Sequence, residues 1–379
     1  RFADAESSYK EALETYRSLA KDNPAAYNPD VAMTLNNLGA LYYKTTRFTD
    51  AEAAYKEVLK TYRSLAKDNP AAYKPYVAAT LNNLGILYSD TSRFADAESS
   101  YKEALAIRRT LAKDNPAAYN PDVAMTLNNL GILYADTTRF AEAEASYKEA
   151  LAIRRTLAKD NPAAYEPYVA TTLNNLGTLH YKTSRFADAE ASYKEALETY
   201  RTLAKDNPAA YEPYVAGTLN NLGTLYSDTS RFSDAESSYK EALAIRRTLA
   251  KANPAAYKPD VAMTLNNLGN LHYKTSRFAD AESSYKEALA IRRTLAKDNP
   301  AAYKPDVAMT LNNLGTLHYK TSRFADAESS YKEALETCRT LAKDNPAAYN
   351  PDVAMTLNNL GALYYKTTRF TDAEAAYKE

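Results

Sequence analysis

The chain has no tryptophan, one cysteine (Cys338) and no excess charge of either sign, since 47 Lys and Arg balance 47 Asp and Glu. Each lack removes a class of protein. A single cysteine excludes an intramolecular disulfide framework and a multi-cysteine zinc site. Its position in the repeat described below predicts a half-buried thiol, with intermolecular pairing as the alternative. A formal net charge of zero offers no bulk attraction to nucleic acid or an anionic bilayer, so neither is expected as a partner. No apolar run approaches the roughly 18 residues of a membrane span, so no membrane insertion is expected. The nine glycines are isolated, so no phosphate-cradling loop can form, and no Gly-x-Ser-x-Gly elbow or His-Glu-x-x-His pair occurs. His180, His272 and His318 lie at least 46 residues apart, which favours packing over metal ligation. Catalysis needs a singular constellation of groups, and the sequence holds none, so a non-enzymatic chain without cofactor or metal is expected.

What the chain does have is tyrosine, 33 residues of it, and repetition. Leu-Asn-Asn-Leu-Gly begins at Leu35, Leu81, Leu127, Leu173, Leu219, Leu265, Leu311 and Leu357, always at a step of 46. The expected organisation is one continuous array of eight units, 1–46, 47–92, 93–138, 139–184, 185–230, 231–276, 277–322 and 323–368, followed by a partial unit 369–379. A hydrophobic content of 45% suits a packed core rather than a disordered tract.

In the unit from Arg47, residues Phe48, Ala51, Tyr55, Val58, Leu59, Tyr62 and Leu65 recur at steps of three and four, one apolar stripe on a helix. Thr46 stands just before it and is expected to cap its start. The stripe stops at Asn69-Pro70, because a residue before proline leaves the helical region. A second helix is expected from Pro75 to Ser89, after a short Pro70–Tyr73 turn. We call the proline-led helix A and the phenylalanine-led one B, and expect the next helix B at Phe94 to Lys113. Gly85 inside helix A costs about 1 kcal/mol relative to Ala. Its recurrence predicts close approach of a neighbouring helix, with Ala51 as the small partner. The fold class is then all-α, a solenoid of antiparallel helix pairs.

Leu84, Gly85 and Tyr88, then Phe94, Ala97, Tyr101 and Ala104, resemble the two-helix signature of the tetratricopeptide repeat. The longer variant, similar to kinesin light chain repeats, is the nearest form, and the resemblance runs through the whole chain. Two departures are that Thr46, Ser92 and their equivalents replace the family's glycine between the helices, and that the unit exceeds the usual 34 residues. The resemblance implies a right-handed superhelix whose helices A line a concave groove that binds protein or peptide.

The units differ mainly on helix A. One variable series is Met33, Ala79, Met125, Thr171, Gly217, Met263, Met309 and Met355; a second starts at Ala40 and Ile86. A third alternates Tyr43-Lys44, Tyr181-Lys182, Tyr273-Lys274 and Tyr319-Lys320 with Ser-Asp or Ala-Asp pairs such as Ser89-Asp90. These share one face. Beside it, Asn36, Asn82, Asn128, Asn174, Asn220, Asn266, Asn312 and Asn358 are the ligand-facing candidates, because an amide both donates to and accepts from a peptide backbone. The other reading is that the asparagines bond neighbouring helices. The Tyr-Lys alternation either tunes the groove or marks a solvated edge with compensating swaps, and the second reading carries more weight.

Near-interchangeable units favour a structural scaffold, a segment of a longer array or filament. The alternative is an adaptor binding an extended peptide. Residues 342–379 repeat residues 20–57 unchanged, and no polar capping helix is evident, so head-to-tail self-association is expected.

Overall fold

The computed structural model describes residues 2–379; Arg1, which opens the first unit in the sequence, lies outside the described residues. Among the described residues there are seventeen α-helices and no strand. The helices B are α1 (Phe2–Asp22), α3 (Phe48–Asp68), α5 (Phe94–Asp114), α7 (Phe140–Asp160), α9 (Phe186–Asp206), α11 (Phe232–Ala252), α13 (Phe278–Asp298), α15 (Phe324–Asp344) and α17 (Phe370–Lys378). The helices A are α2 (Pro24–Lys44), α4 (Pro70–Asp90), α6 (Pro116–Asp136), α8 (Pro162–Lys182), α10 (Pro208–Asp228), α12 (Pro254–Lys274), α14 (Pro300–Lys320) and α16 (Pro346–Lys366). Contacts group residues 1–192 and 193–379 into two compact units. Successive helices pack on one another from α1 to α8 in the first and from α10 to α17 in the second. Each compact unit is therefore a run of antiparallel helix pairs, with every helix resting on its sequence neighbours.

Helix B begins at Phe94 as expected and runs one residue past Lys113. Helix A differs from expectation: it starts at Pro70, not Pro75, so the supposed turn is its first coil. One residue joins the two helices. The Asn69 N–H donates to Leu65 O at 3.0 Å, closing α3, while its carbonyl accepts from Tyr73 N at 3.2 Å. Its side chain accepts from Ala72 N at 3.2 Å, capping α4. Pro70 takes the first helical position, where a missing N–H costs nothing. Pro75 then lies inside the helix, where it forgoes one bond close to the N-terminus.

The expected cap at Thr46 is also corrected. Arg47 is the N-cap residue and makes no side-chain cap bond. Thr46, Ser92, Thr138, Ser184, Ser230, Ser276, Ser322 and Thr368 instead adopt left-handed backbone, with φ between 57 and 60°. They terminate the preceding helix A. At Ser92 the N–H donates to Ser89 O at 3.0 Å and that of Arg93 to Tyr88 O at 2.8 Å, the paired bonds of a Schellman cap. The family's glycine position thus keeps its geometry while carrying a side chain.

The repeated glycine does serve close packing, but its partner is not Ala51. A Cβ on Gly85 would lie 2.5 Å from the Tyr101 ring, and one on Gly131 would lie 2.5 Å from the Tyr147 ring. The notch in helix A houses the tyrosine of the following helix B. Around it lie Leu81, Leu84 and Leu87 of helix A and Ala97 and Ala104 of helix B, all buried. In the second compact unit one such cluster joins Tyr285 and Leu289 to Val307, Leu311, Leu314 and Leu317, with Ala334 closing it from the next helix B.

Two outcomes follow. Gly131→Ala should destabilise the chain by about 1–3 kcal/mol, because the added methyl displaces a buried ring. In a Tyr147→Ala background the same change should stabilise by about 1 kcal/mol, since only helix propensity remains; a matching sign in both backgrounds would discard the notch account. Thr138→Gly should stabilise by up to about 1 kcal/mol, relief of left-handed strain outweighing glycine's greater chain entropy, as read from the urea midpoint.

Candidate functional site

The fold leaves two places where chemistry could vary: the joint between successive units and the face of helix A. The joint is built on one glutamate of helix B. Glu98 of α5 accepts from Arg139 Nη1, the N-cap residue of α7, at 2.6 Å. It also takes Lys102 Nζ of its own helix at 2.7 Å and Tyr134 Oη of α6 at 3.2 Å. The Arg139 guanidinium lies 4.3 Å above the Tyr134 ring. Three helices thus meet at one carboxylate. Hydrogen bonding from Arg139, with help from Lys102, holds its pKa down at about 2. The same node recurs at Glu52 with Arg93 and Tyr88, and at Glu328 with Arg369 and Tyr364. His180 and His318 replace the tyrosine, with Nε2 at 3.5 Å from Glu144 and 3.4 Å from Glu282. All three histidines are buried in the tyrosine's place, where packing was expected to put them.

The asparagines are placed differently from expectation. Asn82, Asn128, Asn220, Asn266 and Asn312 are buried, not presented on a free surface. In several units the second asparagine reaches back to the first of the preceding unit, whereas Asn312 Oδ1 has no such donor and its Nδ2 turns to Thr356 Oγ1 at 2.9 Å. Asn129 Nδ2 donates to Asn82 Oδ1 at 3.2 Å and Asn175 Nδ2 to Asn128 Oδ1 at 3.3 Å; Asn267 reaches Asn220 at 3.2 Å and Asn313 reaches Asn266 at 3.1 Å. The ladder knits successive helices A together, so these amides serve the stack. Asn36 and Asn174 are half-buried and Asn358 is exposed.

Where a Tyr-Lys unit adjoins an acidic one the two pairs meet; Tyr319-Lys320 lies between two other Tyr-Lys units and has no such neighbour. Tyr43 Oη donates to Asp90. Lys274 Nζ lies 2.8 Å from Asp228 and 3.2 Å from Ser227 Oγ; Lys182 is 3.9 Å from Asp136. Tyr43, Tyr181, Tyr273 and Tyr319 are half-buried, each tilted against the phenylalanine that opens the next helix B at 5.9–6.1 Å. Lys44 and Lys320 are exposed. Compensating swaps at an edge therefore account for these contacts.

Sequence reasoning missed a set of buried arginines. Arg108 Nη1 donates to Asp122 O at 3.2 Å, to Asn82 Oδ1 at 3.5 Å and to Thr126 Oγ1, and its Nε lies 3.8 Å from Asp122 Oδ2. Burial pushes its pKa below the ordinary value. The signal was an exchange fourteen residues apart. Arg108 faces Asp122 and Arg292 faces Asp306. Tyr62 and Tyr200 stack on Tyr76 and Tyr214, both at 5.1 Å between centroids. Arg154 lies 5.5 Å over the Tyr168 ring. Cys338 occupies this site in α15 and is 1% exposed, so the expectation of a half-buried thiol is corrected and pairing between chains has no accessible sulfur.

The architecture defines a helix-pair repeat protein whose groups are committed chiefly to unit-to-unit contact. The tetratricopeptide repeat family model matches residues 30–110, 122–202, 168–248 and 306–379, and a second model of that repeat matches 261–301. The chain belongs to the tetratricopeptide repeat family. Among solved structures, BtubC (BKLC) from P. vanneervenii is 29% identical over 64% of this chain and 90% of its own, with a TM-score of 0.53. The STAND protein PH0952 from Pyrococcus horikoshii, with its tetratricopeptide repeat sensor, is 16% identical over 99% of this chain and 52% of its own, with a TM-score of 0.61. The apo quorum sensor NprR from B. thuringiensis is 14% identical over 99% and 96%, with a TM-score of 0.58. No curated protein matches the chain.

The glutamate node sets a pH dependence. Glu98, Glu144 and Glu236 have folded pKa values of about 2 against an ordinary 4.5. A depressed carboxylate stabilises fully above its unfolded pKa and loses that contribution as pH falls through the folded value. The urea midpoint should therefore hold from pH 7 to about 5 and drop between about 4.5 and 2. Glu98→Gln and Glu144→Gln together should shrink that drop; an unchanged acid profile would show that the nodes contribute nothing.

Proposed function

We propose that the chain is a non-enzymatic scaffold, one array of units 1–46 through 323–368 and onward to residue 379, which associates head to tail with copies of itself. The repetition of the joint carries this reading. Arg63 Nη2 reaches Glu103 across one step, Arg109 reaches Glu149 and Arg201 reaches Glu241, all at 2.6 Å. The N-cap arginines repeat a second bridge, Arg93 to Glu52 and Arg185 to Glu144, both at 2.8 Å. Each unit therefore carries a face and the complement of that face. Such contact is heterologous, and it propagates into a filament wherever its rotation does not close into a ring. The unchanged recurrence of residues 20–57 at 342–379 keeps the register uniform.

A second reading, an adaptor that binds an extended peptide on helix A, is favoured by one observation. Met33, Met125, Met263, Met309 and Met355 are exposed, and methionine is an adaptable contact for a partner. Its candidates are Tyr43, Lys44, Tyr181, Lys182, Tyr273, Lys274, Tyr319, Lys320 and the accessible Asn36, Asn174 and Asn358. Buried asparagines would have to leave their neighbours to take part.

Light scattering across a wide concentration range tests the first reading. Mass should grow with concentration, fall in high salt as the bridges are screened, and yield linear particles by electron microscopy. A monodisperse monomer at every concentration would end the self-association reading and leave the adaptor.

A further inference from the structure

Between α6 and α8, floored by α7, the first compact unit holds a cavity of about 210 Å³. Met125 and Asp122 line it from α6, Arg154 and Leu157 from α7, and Tyr165 and Tyr168 from α8. It is smaller than the ~300–1,000 Å³ of a small-molecule site, so it suits one side chain. Its base is firm: Arg154 is buried, with Nη1 donating to Asn128 Oδ1 at 3.3 Å, Tyr168 O at 3.1 Å and Thr172 Oγ1. Its rim is open, since Tyr168 is 53% exposed and Met125 37% exposed.

The chain shows what this wall accepts. Two repeats earlier, Tyr62 stands in the place of Arg154 and stacks on Tyr76 at 5.1 Å, with Tyr73 6.2 Å away. In the second compact unit Tyr200 stacks on Tyr214 in the same way. Both repeats supply two rings of their own. Around α7 the outer ring, Tyr168, is kept, while the inner ring gives way to a guanidinium. At Arg108, Arg246 and Arg292 the outer residue is Asp122, Asp260 or Asp306, so those sites keep only the ring equivalent to Tyr165, which is Tyr119, Tyr257 or Tyr303, and lose the second.

We propose that this pocket receives one aromatic side chain from a partner protein. The guest ring stacks on Tyr168 and Tyr165 in the offset geometry the chain uses for Tyr62 and Tyr76. The Met125 sulfur and the planar Arg154 guanidinium both favour a ring over an aliphatic chain. Buried aromatic anchors dominate protein interfaces, so one such pocket fixes where on the array a partner docks. The inference rests on the reading of the chain as a protein-binding scaffold. Its probe is a single capped amino acid, so a negative result removes the pocket without touching the association measured by light scattering.

The five methionines occupy one position in five different repeats and serve as methyl NMR reporters in the full chain. N-acetyl-L-tyrosinamide should shift the Met125 methyl saturably and leave Met263 and Met309 still. N-acetyl-L-leucinamide should bind about two- to tenfold more weakly, the range expected for ring-on-ring contact. Arg154→Tyr should fill the pocket with the Tyr62–Tyr76 arrangement, and Tyr168→Asp should remove the outer ring as in the Arg108–Asp122 arrangement. Both variants copy pairings the chain already folds with, and each should abolish the Met125 shift at unchanged helicity. The proposal is overturned by a silent Met125, by equal shifts at all five methionines, by equal binding of leucinamide, or by a response that survives in both variants. Should one variant fail to fold, the other decides.

Discussion

The Tyr101 ring lies where a Cβ on Gly85 would have to be, and the rest of each helix pair is arranged around that contact. An α-helix offers few places where another chain can approach its axis closely, and a glycine is one of them. The notch costs about 1 kcal/mol in helix propensity and in return a large ring is buried against leucines on either side. The ring leaves its hydroxyl near one variable position of helix A. Tyr239 Oη meets Thr224 at 3.0 Å, Tyr331 meets Thr316 at 3.1 Å, and Tyr285 donates to Asn270 at 2.7 Å. Part of what varies between units therefore tends a buried phenol rather than a ligand. Burial of that phenol pushes the Tyr239 pKa up to about 12, so it stays a neutral donor or acceptor throughout the physiological range.

The next constraint is charge. Within each compact unit a stack joined by ion pairs must keep them in phase, and the 46-residue step does so by giving the surface arginines of these bridges a glutamate 40 or 41 residues away. Exposed pairs of this kind are individually weak, on the order of 0–1 kcal/mol. The node at Glu98 differs because its acid is mostly covered and takes three donors at once. Buried arginine is the harder case, since an unpaired cation inside a protein is costly. The chain answers it locally: Arg108 and Arg292 each bring an aspartate fourteen residues later, and where the aspartate is absent a tyrosine takes over one face of the guanidinium. The second position also varies without the first, since Tyr16 precedes Asp30 where Tyr62 precedes Tyr76, so what each buried arginine keeps is a partner fourteen residues later and not one fixed residue.

Much of this was legible in the sequence. Periodicity of three and four gave the helices, the step of 46 gave the stack, and Leu84, Gly85, Tyr88 and Tyr101 gave the family. The misplaced features share one cause: local residue chemistry was read without its tertiary partner. Thr46 looks like a cap because hydroxyls commonly are; only the bonds from Arg47 N to Tyr42 O and from Thr46 N to Tyr43 O show it closing the helix before it. Pro75 looks like a helix start, yet Asn69 had already begun the helix one proline earlier. The paired asparagines look like a clamp for a peptide, and the sequence cannot tell that a unit's second amide reaches back to the first amide of the unit before. That contact spans 47 residues and exists only once the helices are stacked.

Repetition also decides where specificity can lie. Contacts common to all units build the array and cannot distinguish one place on it from another. Distinction has to come from residues that change together on an accessible face. Helix A has such a set. Asp30, Asp122, Asp260, Asp306 and Asp352 each precede a methionine by three residues, whereas Tyr76, Tyr168 and Tyr214 precede Ala79, Thr171 and Gly217. Residues three apart share a helix face, so each unit shows either an acid beside a thioether or a ring beside a small residue. A Cβ at Gly217 would meet nothing within 4 Å, which shows that the ring-bearing form leaves open space beside it. Two surface types in a fixed order along a uniform stack give different positions on the array different chemistry. At α6 and α8 the order brings one of each together: Met125 from an acid-bearing unit faces Tyr168 from a ring-bearing one, and the floor between them is an arginine rather than a third ring. Within a compact unit one step can still differ from the next, because the shared leucines, glycine and tyrosine build the packing while Met125 and Tyr168 vary at its exposed edge.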